Sequence, residues 1–139
     1  MKMIIGGAYQ GKLDYAKRTY GVYEGWADGR SCTQEELASC AGIHHFHELV
    51  RRMEKGEYPV VLHCEDLTAL EQEAEAFAGH LLQKNPHILI VSDEIGCGVV
   101  PLDPADRRWR EAVGRVCTSL ASRADEVVRI VCGVGMRIK

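Results

Sequence analysis

Four short apolar runs punctuate this chain, and they are continuous rather than alternating. They are Met3-Ile4-Ile5, Pro59-Val60-Val61-Leu62-His63-Cys64, Ile88-Leu89-Ile90-Val91 and Val127-Val128-Arg129-Ile130-Val131. A strand with one wet face alternates apolar and polar residues; a continuous run suits a strand covered on both faces. Amphipathic stretches lie between the runs. Asp14 to Tyr20 reads as a short helix that stops near Gly21. Thr33 and Glu36 have the spacing of a capping box, and Phe46, Leu49, Val50 and Met53 then keep helical spacing up to Gly56. Leu67, Leu70, Ala74, Phe77, Ala78 and Leu81 mark a long helix ended by Asn85-Pro86. Asp103-Pro104 opens a last helix with core positions Trp109, Ala112, Val113, Val116 and Leu120. Strand and helix in alternation predict an α/β fold, a mostly parallel sheet with flanking helices. Val22 to Ser31 shows no period and reads as a loop, and Met136 to Lys139 as a hairpin partner of the last strand. The 139 residues suit one domain, 1–139.

The first run leads directly into Gly6-Gly7-Ala8-Tyr9-Gln10-Gly11-Lys12-Leu13. Glycines six and eleven, followed by lysine, between a strand and a helix, have the spacing of a phosphate-binding loop. Glycine lets successive N–H groups converge on phosphate oxygens, and the helix N-terminus adds its positive end. Lys12 brings a full charge to the β- and γ-phosphates. The loop does not choose between GTP and ATP. Leu13 stands where a serine or threonine hydroxyl normally ligates Mg²⁺, so the loop keeps its cradle and loses its metal ligand.

Net charge is −3, which gives no electrostatic reason to expect nucleic acid or an anionic membrane as partner. No apolar run approaches the ~18 residues of a membrane span, and the start of the chain has no signal-like apolar region, so a cytoplasmic location is the default. None of the six cysteines forms a Cys-x-x-Cys pair, and the placement of Cys64, Cys97 and Cys132 in or beside apolar runs and of Cys117 in a helix-like stretch predicts buried free thiols.

Four further groups carry chemistry. His44, His45 and His47 cluster on a helix-like stretch. A nucleophilic His45 needs an exposed imidazole near the α-phosphate; a metal site needs a third ligand, for which Cys40 is the near choice; a polar helix face needs neither. Glu65 and Asp66 follow the second run, where they either hold Mg²⁺ or cap the next helix. Asp93 and Glu94 end the third run on the ligand-binding edge of such a sheet, beside glycines 96 and 98 that keep a loop near a ligand. Arg107, Arg108 and Arg110 crowd one helix start, to reach phosphate or a partner, or to stay solvated.

Ser92-Asp93-Glu94-Ile95-Gly96-Cys97-Gly98-Val99-Val100-Pro101 closely resembles a motif of the adenosylcobinamide kinase / adenosylcobinamide-phosphate guanylyltransferase family. Ala112 to Val116, Ala124 to Val128, Val131 to Gly135 and the opening Gly6-Gly7-Ala8-x-x-Gly11-Lys12 are similar to it as well. The resemblance implies a P-loop NTPase sheet of the RecA-like kind, GTP with Mg²⁺, a cobinamide-like small-molecule substrate, a homo-oligomer and a role in cobalamin synthesis. It implies kinase chemistry followed by GMP transfer through a guanylylated histidine, with Glu94 at the family's glutamate. The chain also departs from the pattern. Asp28-Gly29-Arg30 lacks the preceding histidine pair, His63 replaces a strand-end acid, and Asp93 replaces an asparagine, adding negative charge near the phosphates. Catalytic Lys12, Glu94 and His45 with metal-binding Glu65 and Asp66 make one reading. A nucleotide-binding homologue without transferase activity and a P-loop kinase for another small substrate are the others.

Overall fold

The run at Met3-Ile4-Ile5 becomes the centre of the sheet because it has neighbours on both edges. β1 (Lys2–Gly6) pairs in parallel with β4 (Leu89–Asp93) on one side and with β5 (Glu126–Val131) on the other. The computed structural model describes residues 1–139. Two three-residue strands, β2 (Trp26–Asp28) and β3 (Gly42–His44), extend the sheet beyond β4, and β6 (Val134–Arg137) closes the other edge, giving the order β2-β3-β4-β1-β5-β6. Only β6 runs antiparallel. It returns from β5 through Cys132 and Gly133, both at positive φ, as a tight hairpin requires. The helices are α1 (Lys12–Tyr20), α2 (Gln34–Ser39), α3 (Phe46–Glu54), α4 (Leu67–Lys84) and α5 (Pro104–Arg123).

The sheet has one thick side and one thin side. Met3, Ile90 and Val127 join a 24-residue core with Phe46, Leu49, Leu70, Leu81, Val116 and Leu120 of α3, α4 and α5. Ile4, Val91, Val128 and Ile130 on the other side form a cluster of five with Ala16 of α1, flanked by Tyr15, Tyr20 and Trp26. Each fully buried aliphatic side chain contributes about 1.5–3 kcal/mol, so the thick side carries most of the stability. No helix is long and apolar enough to cross a membrane.

The predicted helix starts and stops hold. Gly21 caps α1 in the left-handed region, Thr33 and Glu36 form both bonds of the capping box, and Asp103 caps α5 with Pro104 in its first turn. Three expectations fail. Pro59 to Cys64 is not a strand: β3 and β1 already occupy both edges of β4. The segment is instead a strap whose Leu62 N–H donates to Met53 O and whose His63 N–H donates to Glu73. Trp26–Asp28 and Gly42–His44, read as loop and helix, are strands. Gly42 makes room for the Trp26 ring, since a Cβ there would lie 2.6 Å from Cζ3. The thiols are free, but only Cys32 is buried: Cys40, Cys64 and Cys117 are half-buried, and Cys97 and Cys132 are exposed.

Candidate functional site

A cleft of about 500 Å³ opens at the carboxyl ends of the strands, where parallel sheets bind ligands. The glycine loop forms one wall. Gly6 must be glycine, because its φ is 150° and a Cβ would overlap Ile130 O of β5. Gly11, at φ 78°, sets the start of α1. The hairpin turn braces the loop from behind: Cys132 N–H donates to Gln10 Oε1 at 2.6 Å and Gly133 N–H to Gln10 O at 3.0 Å. Tyr9 stands fully exposed at φ 59°. Lys12 is buried. Its Nζ donates to Gly7 O at 2.6 Å and pairs with Asp93 Oδ1 at 2.6 Å. Leu13 lines the cleft beside it with no oxygen to offer.

The opposite wall comes from the ends of β2 and β3 and the start of α3. Successive strand residues point to opposite faces, yet His44 and His45 turn their rings together. The left-handed backbone of His45, at φ 51°, makes this possible. Their Nδ1 atoms lie 2.7 Å apart, and His45 Nδ1 is 3.3 Å from Asp28 Oδ1. Register places Asp28 beside His44 across the strand pair. Gly29 locks the turn: its N–H donates to His44 O, and a Cβ there would overlap His45 O. Arg52 fixes Gly29 and Cys32 through their carbonyls. Arg30 donates to both oxygens of Asp28 and, despite a modest opposing effect of burial, holds that carboxyl far below the usual range. Burial pulls the His44 imidazole below its ordinary value.

His47 plays a different part from its neighbours. It is buried; its Nδ1 accepts the Asp93 N–H at 3.1 Å, and its carbonyl accepts Trp109 Nε1–H at 2.8 Å. Burial lowers its imidazole too. It joins α3, β4 and α5 and holds Asp93 in place.

The structure therefore brings His45 and the loop from Ala8 to Leu13 into one cleft. Five predicted residues do not line it: Gly6 and Gly7, which precede the lining stretch, and the acids Glu65, Asp66 and Glu94. Glu94 donates its N–H to Gly6 O and pairs through Oε2 with Arg129 Nε at 3.0 Å. Asp66 caps α4, accepting from Thr68 N–H and Ala69 N–H, and Glu65 beside it is exposed at the end of the strap. Arg107 and Arg110 clamp the loop before α5 through carbonyls of Pro101, Leu102, Val99 and Gly96, and Arg108 pairs with Glu54.

Sequence reasoning missed Asp28 as a partner of the histidines and Gly29 as their lock. The Asp-Gly-Arg triplet was the visible signal, but its meeting with His44 depends on strand register. Asp28, His44 and His45 lie within 4.8 Å of one another by their ligand atoms, a donor set that suits zinc, cobalt or nickel. Arg30 already occupies both carboxylate oxygens, so a cation there must displace a guanidinium.

The sequence model of the cobinamide kinase / cobinamide phosphate guanyltransferase family matches residues 30–138. The glycine loop lies outside that stretch and rests on its own spacing and geometry. The bifunctional adenosylcobalamin biosynthesis protein CobU of Salmonella typhimurium is 34% identical over 71 residues, 51% of this chain and 39% of the relative. The protein of the same name from Escherichia coli is 37% identical over 78 residues, covering 53% and 43%. The bifunctional adenosylcobalamin biosynthesis protein CobP of Pseudomonas aeruginosa is 35% identical over 79 residues, covering 57% and 46%. The chain thus spans less than half the length of these relatives.

Proposed function

The chain belongs to the cobinamide kinase / cobinamide phosphate guanyltransferase family, and from that premise we propose that its cleft binds GTP for transfer chemistry on a cobinamide-type small molecule. The single observation that carries this reading is the convergence of Lys12, the loop and His45 on one cleft.

Phosphoryl transfer asks mainly for positioning and charge neutralisation. The loop N–H groups and Lys12 hold the β- and γ-phosphates. A substrate hydroxyl attacks the γ-phosphorus, the bond to the β-phosphate oxygen breaks, and GDP leaves. Guanylyl transfer needs a nucleophile for the α-phosphorus. One proton on His45 Nδ1 answers both of its neighbours, His44 Nδ1 and Asp28 Oδ1. The lone pair then sits on Nε2, which makes no hydrogen bond within the fold. Attack by Nε2 forms a nitrogen–phosphorus bond and expels pyrophosphate. The substrate's phosphate oxygen then attacks the same phosphorus and frees His45.

Mg²⁺, when bound with the nucleotide, offsets the charge that builds on the phosphates. Glu65 and Asp66 as its ligands would require the strap to reach the cleft, and Glu94 as a catalytic group would require release from Arg129. Asp93 is the carboxylate that already lies beside Lys12.

A second reading has its own support. Leu13 lacks the hydroxyl, and Lys12 is already paired with a carboxylate, which suits a nucleotide-binding homologue without transferase activity. Calorimetric titration of GTP with Mg²⁺, followed by an assay for phosphorylation of cobinamide, separates the two. Binding that falls about 10–100-fold in K12A, the loss of a charge-assisted contact, together with turnover, supports the enzyme. Binding without turnover supports the homologue. Absence of binding at millimolar GTP overturns both.

A further inference from the structure

We infer that Asp93 is the chain's own ligand for the divalent cation that accompanies the nucleotide, replacing the hydroxyl that Leu13 cannot supply. The inference rests on the nucleotide reading above and concerns how the cation is held.

Three carboxylates line the cleft: Asp14, Glu48 and Asp93. Asp14 is exposed in the first turn of α1, and Glu48 lies by His47, with Oε1 3.7 Å from Nε2. Asp93 alone touches Lys12, at 2.6 Å from Nζ. In a loop of this kind the lysine marks the β- and γ-phosphates, and the cation bridges those same phosphates. The carboxylate nearest the lysine is therefore nearest the cation.

The donor chemistry fits. A small hard cation takes carboxylate oxygen. Oδ1 of Asp93 is held by Lys12, whereas Oδ2 has no hydrogen-bond partner and comes no closer than 3.8 Å to His47 Nε2. The position is also rigid. Asp93 ends β4 in register with Gly6, the residue that starts the loop, and its N–H is fixed by His47.

Without nucleotide, Asp93 is the carboxylate paired with the buried lysine. With nucleotide but no cation, its negative charge faces the phosphates and repels them. With both, the cation sits between two negative partners. Nucleotide and cation must then bind with strong mutual dependence, and that dependence is reciprocal.

The test is calorimetric titration of GTP into wild type and D93N, in EDTA and in Mg²⁺. For wild type, Mg²⁺ should tighten GTP on the order of ten-fold or more, the scale of one close charge contact in a half-exposed site. D93N should bind metal-free GTP more tightly than wild type and gain little from Mg²⁺. L13S added to D93N should restore part of the Mg²⁺ effect. Wild type with no Mg²⁺ dependence overturns the inference without any variant. D93N with the full Mg²⁺ dependence overturns it as well. No GTP binding in any protein or buffer overturns the nucleotide reading and the inference together, an outcome distinct from binding that ignores Mg²⁺.

Discussion

The two walls of the cleft solve the same problem by different means. Each must hold backbone in the left-handed region so that polar groups point inward. The loop wall does it with glycine at 6 and 11, with Tyr9 at φ 59° between them, and with a brace from the β5–β6 turn. The histidine wall does it with a histidine, His45, at φ 51°. A residue with a Cβ in that region carries a cost of about 1–2 kcal/mol, and here the Gly29 and Arg52 contacts hold it there. One wall is shaped mostly by glycines that accept its conformation, with Tyr9 the exception. The other is shaped by surroundings that impose one on a residue kept for its side chain. Strain of this kind is a mark of sites where chemistry overrides local preference.

The largest test of this contrast is steric. G6A pushes a Cβ into Ile130 O at a positive φ, and G29A pushes one into His45 O. Each should destabilise by about 3 kcal/mol or more, read as a fall in Tm of roughly 10 °C. G29A should also disturb the histidines while leaving the lysine pair intact. A G29A protein as stable as wild type would remove the lock from the account.

A smaller effect isolates the strain itself. H45G and H45A both lose the imidazole, but only glycine is at ease at φ 51°. H45G should therefore be more stable than H45A by about 1 kcal/mol in denaturant unfolding. Equal stabilities would mean that the left-handed turn costs nothing.

The smallest effect is a pH slope. Burial lowers the His44 value in the folded protein below the ~6.5 of an unfolded chain. The unfolded chain takes up the proton first, so stability is full above that value and is lost as pH falls through it toward the folded value. H44Q should show a shallower fall in Tm from pH 7 to pH 5 than wild type, with His47 supplying the remaining slope. An unchanged slope would show that His44 does not titrate against burial.

The same contrast explains what the sequence discloses. The loop wall is legible because its demands are local: an apolar run, glycines where N–H groups must converge, then a lysine and a helix. β4 and β5 are legible because Ile90 and Val127 lie in runs long enough to identify. The histidine wall is not legible. β2 and β3 have three residues each, and Ile43 has no apolar neighbour to announce a strand. Their pairing depends on Trp26 finding Gly42 across space. The strap at Pro59–Cys64 misleads in the opposite way, since its apolar residues serve the thick core through Leu62 while β4 has no free edge. Asp93 and Glu94 part company only in three dimensions: Asp93 ends β4 and pairs with Lys12, whereas Glu94 pairs with Arg129 of β5.

In the proposed function the two walls act on one nucleotide, with Lys12 on its outer phosphates and His45 on its α-phosphorus. Incubating the protein with Mg²⁺ and GTP labelled at either the α- or the γ-phosphorus, then denaturing it and counting retained label, tests this most directly. The account predicts label retained from the α position, none from the γ position, and none from either in H45Q. No retention from the α position, or retention that survives H45Q, would contradict it.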